Sequence, residues 1–350
     1  DERRTQITAL DGEIDIEDLI AQEDVLVSIS HAGYIKRIPV SMYRRQHRGG
    51  AGVTGAGVRD DEDFIEHMFM ASTHDYILFF TNLGRVYWRK AYDIPQGSRQ
   101  AKGKAIVNFL SLSQNETVSS FLQVKEFSDK QYAIMVTAKG VIKKTNMIEY
   151  SRPRSTGVNA ITLRDKDELV ACKITSGKDE IFMATREGKA IRFKETDVRD
   201  MGRTATGVRG MNLAKTDEIV AVEVVDPKMK ALTITQNGFG KSTPFVQYRI
   251  QSRGGKGIIN VKVSEKNGKV VNVLTVADED EIILVTNNGM VVRCPVNQIR
   301  TSGRNAVGVK VMRLHDKDKI ASATRVVAKE EGSGKDAQQL PLLDEKNGKK

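Results

Sequence analysis

Short apolar runs rich in β-branched residues recur along the chain about every fifty residues, and each run ends at a glycine. Ser or Thr lies three residues before that glycine, and a shorter apolar and basic run follows it. This order is typical of a β-hairpin whose turn glycine supplies a positive φ angle. The six turn glycines are Gly33, Gly84, Gly140, Gly188, Gly238 and Gly289. Six copies of one β unit are therefore predicted.

A second glycine follows the first by nineteen residues in five units, with an arginine four residues before it. The third unit is shorter: Gly157 comes seventeen residues after Gly140, and Arg154 three residues before Gly157. The other pairs are Arg48 and Gly52, Arg99 and Gly103, Arg203 and Gly207, Arg253 and Gly257, and Arg304 and Gly308. A recurrence that keeps all these residues in step favours one repeated structure over six unrelated hairpins.

Units of this kind cannot bury a face alone, so they must stack in an array or close into a ring. Closure removes exposed sheet edges. We therefore predict an all-β fold: a closed, propeller-like ring of six four-stranded blades of about fifty residues over residues 25–328. Residues 1–24 are predicted to be an acidic linker or docking segment that leads into the ring, and residues 329–350 a disordered tail.

Charge is unevenly distributed along the chain, whose net charge is +10. Residues 1–24 carry nine acids and two arginines, and residues 329–350 carry five lysines and five acids, which leaves +17 on residues 25–328. A folded region this basic is typical of a protein that binds an anionic polymer.

Composition narrows the setting. No apolar run is long enough to cross a bilayer and no signal peptide opens the chain, so a cytoplasmic location is expected. The first residue is Asp rather than Met, which suggests a fragment. Cys172 and Cys294 lie in strand-like sequence without CxxC spacing, which favours buried free thiols over a disulfide or a zinc site.

Two segments around the second glycine combine clustered glycines with an arginine: QHRGGAG at 46–52 and QSRGGKG at 251–257. Glycines let backbone amides approach a phosphate, and arginine adds a forked charged donor. The candidate phosphate contacts are Gln46, His47, Arg48, Gly49, Gly50 and Gly52, and Gln251, Arg253, Gly254, Gly255, Lys256 and Gly257. The alternative is a glycine-rich connector whose arginine only packs.

A second basic set follows the first glycine of each unit by one to five residues. It comprises Lys36, Arg37, Arg85, Arg89, Lys143, Lys144, Arg192, Lys241 and Arg293. Together with the arginines that precede the second glycine, these residues are predicted to place positive charge around a rim. Those arginines are Arg99, Arg154, Arg203 and Arg304. Such a rim suits a duplex backbone and carries no sequence readout.

Other motifs are set aside. GFGKST at 238–243 resembles the end of a phosphate-binding P-loop, but Thr235 stands where that motif needs a glycine, and no strand-to-helix context follows. The five histidines have no metal-ligand spacing, and no Ser, His and acid arrangement is apparent. Trp88 is predicted to pack rather than to stack on a base.

The chain resembles the C-terminal domain of the DNA gyrase A subunit, a type IIA topoisomerase, over residues 1–328. The resemblance is carried by EDVLVSISHAGYIKR, by QHRGGAG, by THDYILFFTNLGRVY and by GRTATGVRGMNL. It implies a six-bladed β-pinwheel, a disc like a propeller but with different strand connections inside each blade. It also implies that DNA wraps around the rim, which enables the whole gyrase to introduce negative supercoils.

The chain departs from the family's Gln-Arg-Arg-Gly-Gly-Lys-Gly box at two positions, where His47 and Ala51 replace basic residues. Either QSRGGKG in the fifth unit compensates, or the glycine geometry and Arg48 suffice. We favour the second interpretation because the first segment matches the family by position.

The resemblance implies a non-catalytic DNA-binding and DNA-wrapping domain, since the family's catalytic tyrosine lies outside this sequence. No cofactor is expected in this chain; the whole gyrase would use ATP and Mg on other domains. The expected partners are double-stranded DNA, the remainder of the gyrase A polypeptide and the gyrase B polypeptide, with no membrane, in the nucleoid of the cytoplasm. The alternatives are the corresponding C-terminal domain of topoisomerase IV and a propeller-type protein-interaction scaffold.

Overall fold

A computed structural model describes residues 16–30, 32–39, 65–98, 101–288, 290–314 and 318–326. Over these ranges the chain forms 23 strands, six short 3₁₀ segments and one four-residue helix, α1 (Ile106–Phe109). The 3₁₀ segments are Ile16–Leu19, Ala91–Asp93, Met147–Tyr150, Glu195–Asp197, Phe245–Gln247 and Val296–Gln298. The all-β prediction is confirmed.

The strands are β1 (Asp24–Ser30), β2 (Tyr34–Pro39), β3 (Ile65–Ser72), β4 (Tyr76–Thr81), β5 (Arg85–Lys90), β6 (Lys104–Ala105), β7 (Val118–Val124), β8 (Tyr132–Thr137), β9 (Val141–Asn146), β10 (Val158–Asn159), β11 (Leu169–Thr175), β12 (Glu180–Thr185), β13 (Lys189–Lys194), β14 (Val208–Arg209), β15 (Ile219–Val224), β16 (Lys230–Thr235), β17 (Phe239–Pro244), β18 (Ile258–Ile259), β19 (Val270–Val276), β20 (Glu281–Thr286), β21 (Val291–Pro295), β22 (Val309–Lys310) and β23 (Ile320–Val326).

These strands form six antiparallel sheets, one for each predicted unit. Their orders are β3-β1-β2-β6, β10-β5-β4-β7, β11-β8-β9-β14, β15-β12-β13-β18, β19-β16-β17-β22 and β21-β20-β23. The fourth strand of the first five sheets comes from the following unit, so a blade is not one contiguous stretch of about fifty residues. Over the described ranges the sixth sheet has three strands.

The strand that follows each hairpin lies at the centre of the ring. β7, β11, β15, β19 and β23 contact one another in succession, and β23 also contacts β3, which closes the ring. The strands β7, β11, β15, β19 and β23 line a central cavity of about 600 Å³. Since each sheet begins at the centre, its short fourth strand forms the outer edge.

The structure shows why a Ser or Thr recurs three residues before each turn glycine. The register shifts by a bulge at this position in all six sheets. In five units the hydroxyl oxygen accepts the backbone N–H four residues later, at 3.1–3.3 Å. Thr235 instead donates to the Phe239 carbonyl at 3.3 Å. The hydroxyl side chain therefore stabilises the turn that contains the glycine.

The hydrophobic core lies between consecutive sheets. Ile77 and Phe79 of β4 pack with the first sheet, whereas Leu78 and Phe80 pack with the third. Both faces of this hairpin are thus buried, which explains why its apolar residues run continuously rather than alternating. Among the described residues, five such clusters lie between successive sheets from the first to the sixth, so the array buries what a single unit cannot.

Part of the acidic segment before the ring docks on it. Glu17 lies 2.6 Å from the Lys90 ammonium, and Thr73 donates its hydroxyl to the Ala21 carbonyl at 2.9 Å. The Lys90 ammonium also lies 4.0 Å from the centre of the Tyr76 ring. Of the two interpretations of this segment, docking describes residues 16–23.

Candidate nucleic-acid interface

In the second to sixth units, the segment between the second strand of the hairpin and the short outer strand, here called the connector, crosses to the outer edge of the preceding sheet. The connectors of the second to sixth units span 91–103, 147–157, 195–207, 245–257 and 296–308. Parallel bridges such as Lys144 to Asp200 and Arg192 to Ile250 hold four of them against the preceding sheet. The connectors thus cover the outer edge, where the rim charges are predicted.

The second glycine of each described connector has a positive φ angle, for example +93° at Gly207 and +70° at Gly257. A Cβ atom added at Gly207 would lie 2.6 Å from the Ile142 carbonyl oxygen, and one at Gly257 equally close to that of Ala190. The recurrence of this glycine therefore has a structural cause: the connector touches backbone of the preceding sheet there.

The connector arginines lie at the outer edge, and two of them also bind backbone of the preceding unit. Arg253 donates to the carbonyls of Asp197 and Arg209 at 2.8 and 3.2 Å, and Arg304 donates to that of Ile259 at 2.9 Å. A guanidinium carries five N–H donors, so these contacts use only part of its capacity. Arg154 is exposed and Arg203 half-exposed.

In the fifth unit, the predicted amide clamp conflicts with the hydrogen bonding. The backbone N–H of Gln251 donates to the Arg192 carbonyl at 2.8 Å, and the backbone N–H of Gly254 donates to the Gly210 carbonyl at 2.6 Å. Because protein carbonyls already occupy these two donors, Gln251 and Gly254 do not offer their amides to a phosphate. Lys256 is exposed, Gly255 and Gly257 are half-buried, and the packing alternative describes the backbone of this segment better.

Four lysines predicted at the rim are buried instead: Lys36, Lys143, Lys144 and Lys241. The Lys241 ammonium donates to the carbonyls of Gly303 and Arg304 at 2.9 and 2.7 Å. The Lys144 ammonium lies 5.0 Å from the centre of the Tyr132 ring. The rim prediction is wrong for these residues: the following connector covers Lys36, Lys143 and Lys241, and Lys144 packs beside Tyr132.

Burial also changes the acidity of these amines. Desolvation, followed by the positive charge of Arg203, lowers the pKa of Lys143 to about 7. Desolvation and the charge of Arg304 lower the pKa of Lys241 to about 7, and burial lowers the pKa of Lys36. The amines of Lys143 and Lys241 therefore lose their proton more readily than an exposed lysine does.

The arginines of the second strands also contact protein groups. Arg37 donates to the Ile94 carbonyl at 2.8 Å, and Arg89 to that of Phe109 at 3.0 Å. Arg85 donates to the Thr156 carbonyl at 2.6 Å. These three are half-buried. They bind carbonyls of segments later in the chain, so only part of each guanidinium is exposed to solvent.

Two further arginines of this set form cross-strand ion pairs. Arg192 pairs with Glu180 and donates to the Phe245 carbonyl at 2.7 Å. Arg293 pairs with Glu281 and is exposed. The pairing cancels much of the charge that either side chain would contribute to a rim.

A set of exposed arginines went unrecognised in the sequence. Arg199, Arg249 and Arg300, here called the leading arginines, lie four residues before the connector arginines Arg203, Arg253 and Arg304. Each directly precedes the residue that bridges to the preceding sheet, so they occupy equivalent places on three successive outer edges. Their constant spacing was the signal that could have identified them.

Seven predicted site residues lie outside the described ranges: Gln46, His47, Arg48, Gly49, Gly50, Gly52 and Arg99. Their role remains a prediction, as does the choice between the two glycine-rich segments.

Several other expectations are decided. Trp88 is 3% exposed and its indole donates to the Tyr150 carbonyl at 2.8 Å, which confirms packing. Residues 239–243 of the P-loop-like motif lie within strand β17. Cys172 is buried as predicted, whereas Cys294 is only half-buried. The described part of the chain contains no cluster suited to a metal and no helix that could span a membrane.

Comparison with known proteins agrees with this architecture. A family profile described as DNA gyrase C-terminal domain, beta-propeller, matches residues 24–72, 75–125, 131–176, 179–226, 230–277 and 280–326. These six segments coincide with the six units.

Relatives and solved structures point the same way. The chain is 45% identical to the DNA gyrase A polypeptide of Salmonella typhimurium and 48% identical to that of Clostridium acetobutylicum, over 93% of this chain and 37% and 39% of the relatives. It thus spans under two fifths of their length. A solved DNA gyrase A C-terminal domain superposes with a TM-score of 0.71 at 28% identity, covering 87% of this chain and all of that one. A solved topoisomerase IV C-terminal domain superposes with a TM-score of 0.74 at 26% sequence identity, covering 88% of this chain and 94% of that one.

Proposed function

The chain belongs to the DNA gyrase C-terminal domain family, and on that premise we propose that it is a non-catalytic domain that binds duplex DNA and bends it around its outer edge. The observation that carries the proposal is the leading arginines, which repeat at one place on three successive outer edges. An edge that presents cations at regular intervals suits a phosphate backbone that follows it.

Bending explains why contacts must be distributed. Smooth bending of a site of 20–30 base pairs costs on the order of 1–10 kcal/mol. A single arginine cannot offset such a cost, whereas phosphate contacts on several sheets can. The net charge of +17 on residues 25–328 supports this reasoning, because much of it remains after the buried lysines are set aside.

Within this proposal, the domain acts with the remainder of the gyrase A polypeptide and with the gyrase B polypeptide, and the wrapped DNA enables negative supercoiling. It needs no cofactor of its own. The gyrase assignment is favoured over topoisomerase IV because the chain is 41–48% identical to gyrase A polypeptides over 93% of its length.

The test is binding to duplexes of about 20 to 150 base pairs, a range that reaches the persistence length. With about ten phosphates neutralised, the logarithm of affinity should fall against that of salt with a slope of about −9. Circular DNA closed in the presence of the domain should change its linking number. A slope near zero would contradict DNA binding, and an unchanged linking number would contradict wrapping.

A matched pair of variants locates the interface. Replacing Arg199, Arg249 and Arg300 with Ala should make the salt slope shallower by about 2.7. The control replaces Lys125, Lys178 and Lys228, three exposed lysines in loops that join an inner strand to the next hairpin. It removes the same charge away from the outer edge, so an equal loss would argue against an outer-edge interface.

A further inference from the structure

The residue three positions after the turn glycine alternates in character around the ring. It is Lys36, Lys143 and Lys241 in the first, third and fifth units, and Tyr87, Ile191 and Val292 in the second, fourth and sixth. The three lysines are buried, with exposed fractions of 4%, 0% and 1%. A buried ammonium is costly unless it is hydrogen-bonded, so each must have partners that justify its position.

Those partners are mostly backbone carbonyls of the following connector. The Lys143 ammonium donates to the carbonyls of Ala160, at 2.6 Å, and Arg203. The Lys241 ammonium donates to those of Gly303 and Arg304. In both cases one acceptor belongs to the connector arginine itself, so the lysine fixes the backbone from which that guanidinium projects.

Lys36 makes the same kind of contact in the first sheet. Its ammonium donates to the carbonyls of Ser98 and Ala101, at 3.3 and 2.7 Å, in the second connector. Connectors of the even units are therefore tied down by an ammonium from the preceding sheet.

At the equivalent position, the third and fifth connectors rest on apolar side chains instead, while Arg85 and Arg192 donate to their carbonyls from neighbouring positions. A Cβ atom added at Gly157 would lie 2.8 Å from the Tyr87 ring, and one at Gly255 would lie 3.5 Å from Ile191 Cδ1. The side chain at this one position thus alternates between a hydrogen-bond donor and an apolar contact from the second connector to the sixth.

We propose that Lys143 and Lys241 are positioning residues for DNA binding: each holds a connector so that Arg203 or Arg304 is oriented toward the phosphate backbone. The inference rests on the proposed function. The hydrogen bonds from a charged donor are roughly twice as strong as neutral ones, but burial disfavours the charged form, which is why the lysine pKa is lowered.

Binding of DNA should in turn favour the charged lysine. Arg203 on the connector, Glu149 on the 3₁₀ segment and Cys172 on β11 surround Lys143, and Arg304 faces Lys241. A phosphate beside either arginine offsets the repulsion that lowers the lysine pKa. DNA binding is then coupled to proton uptake.

Hydrogen exchange tests the positioning without DNA. Lys143→Met keeps a long unbranched side chain but removes the donors. We expect at least tenfold faster exchange at the amides of Met201 and Ala205 in the fourth connector, which donate to the carbonyls of Lys144 and Gly202. Lys241→Met should do the same at Ser302 and Ala306 in the sixth connector.

Each variant is the control for the other, and the Gln251 amide of the fifth connector should change less than twofold in both. Acceleration in all connectors, or in none, would overturn the proposal. If Lys143→Met does not fold, Lys241→Met carries the same test in the fifth sheet.

DNA binding supplies the second arm. Lys143→Met and Arg203→Ala should each weaken binding severalfold, and the double variant should bind no more weakly than the weaker single variant. Effects that multiply would show that Lys143 does not act through Arg203, and would overturn the proposal.

The pH profile of affinity supplies the third arm. Affinity of the unaltered chain should fall about threefold or more from pH 6.5 to 8.5, and each lysine variant should reduce that fall. An identical pH profile in the variants would contradict the coupling. No DNA binding by the unaltered chain would instead overturn the proposed function, while the exchange pattern would still decide how the connectors are held.

Discussion

The fourth and fifth connectors follow the same path across neighbouring sheets, yet different forces hold them. The fourth is tied by the Lys143 ammonium. The fifth rests on Ile191, accepts hydrogen bonds from Arg192 and sends Arg253 back to two carbonyls of the fourth unit. Both end in a glycine with positive φ.

The difference shows that a repeat preserves backbone geometry more strictly than it preserves the role of a side chain. A lysine and an isoleucine serve the same crossing because each satisfies a different requirement: the lysine bonds carbonyls, and the isoleucine fills space. Counting basic residues by their place in the repeat therefore overestimates the charge at the surface.

The largest effect should come from the feature that both connectors share. Gly207→Ala and Gly257→Ala should each lower the free energy of unfolding by about 2–4 kcal/mol, since the new Cβ meets a carbonyl oxygen and φ is positive. Gly202→Ala is the control: nothing lies within 4 Å of its Cβ, and the loss should stay within about 0.5 kcal/mol. Denaturant unfolding measures all three, and equal losses would contradict the steric explanation.

Much of the ring follows from the sequence because its signals are local. Each hairpin needs an apolar run, a hydroxyl residue and a turn glycine, and all three are visible in consecutive residues. The sequence does not reveal that the outer strand of each sheet comes from the following unit. Shifting every unit by one strand leaves the repeat period unchanged.

The candidate interface was less predictable because burial depends on a distant segment. Nothing near Lys143 in the sequence indicates that Arg203, sixty residues later, will cover it. Conversely, Arg199, Arg249 and Arg300 are exposed, and their regular spacing was readable but uncounted. The residues of the first glycine-rich segment lie outside the described ranges, so their part in binding stays a prediction.

A smaller effect should separate the two connectors by pH. The pKa of Lys143 is about 7 in the folded chain and ordinarily 10.5, so the unfolded chain binds more protons between those values. The free energy of unfolding should therefore rise with pH over this window, by about 1–3 kcal/mol more than in Lys143→Met. Ile191→Val, the matched change under the fifth connector, should leave the rise intact. A difference that is constant with pH would show that the ammonium stays charged throughout.

The connector arginines should differ in stability by a smaller amount. Arg253→Ala removes two hydrogen bonds to backbone carbonyls and should cost about 1 kcal/mol. Arg203→Ala removes only a 3.9 Å contact with the exposed Glu149, and should cost under about 0.5 kcal/mol. Thermal unfolding of the two variants in parallel measures the difference. A larger loss for Arg203→Ala would reverse the assignment of which arginine holds its neighbour.

The smallest effect should be the change in the salt slope of DNA binding on removal of one leading arginine, which should not depend on how the connector is held. Arg199 precedes the fourth bridge and Arg249 the fifth, and both are exposed at equivalent places. If each contacts one phosphate, Arg199→Ala and Arg249→Ala should each make the salt slope of DNA binding shallower by about 0.9, with stability unchanged within about 0.5 kcal/mol. Titrations at several salt concentrations measure both slopes. Equal changes would show that the outer edge presents its leading arginines uniformly over a support that alternates, whereas a change for only one variant would show that the support beneath the connector decides which arginine reaches the DNA.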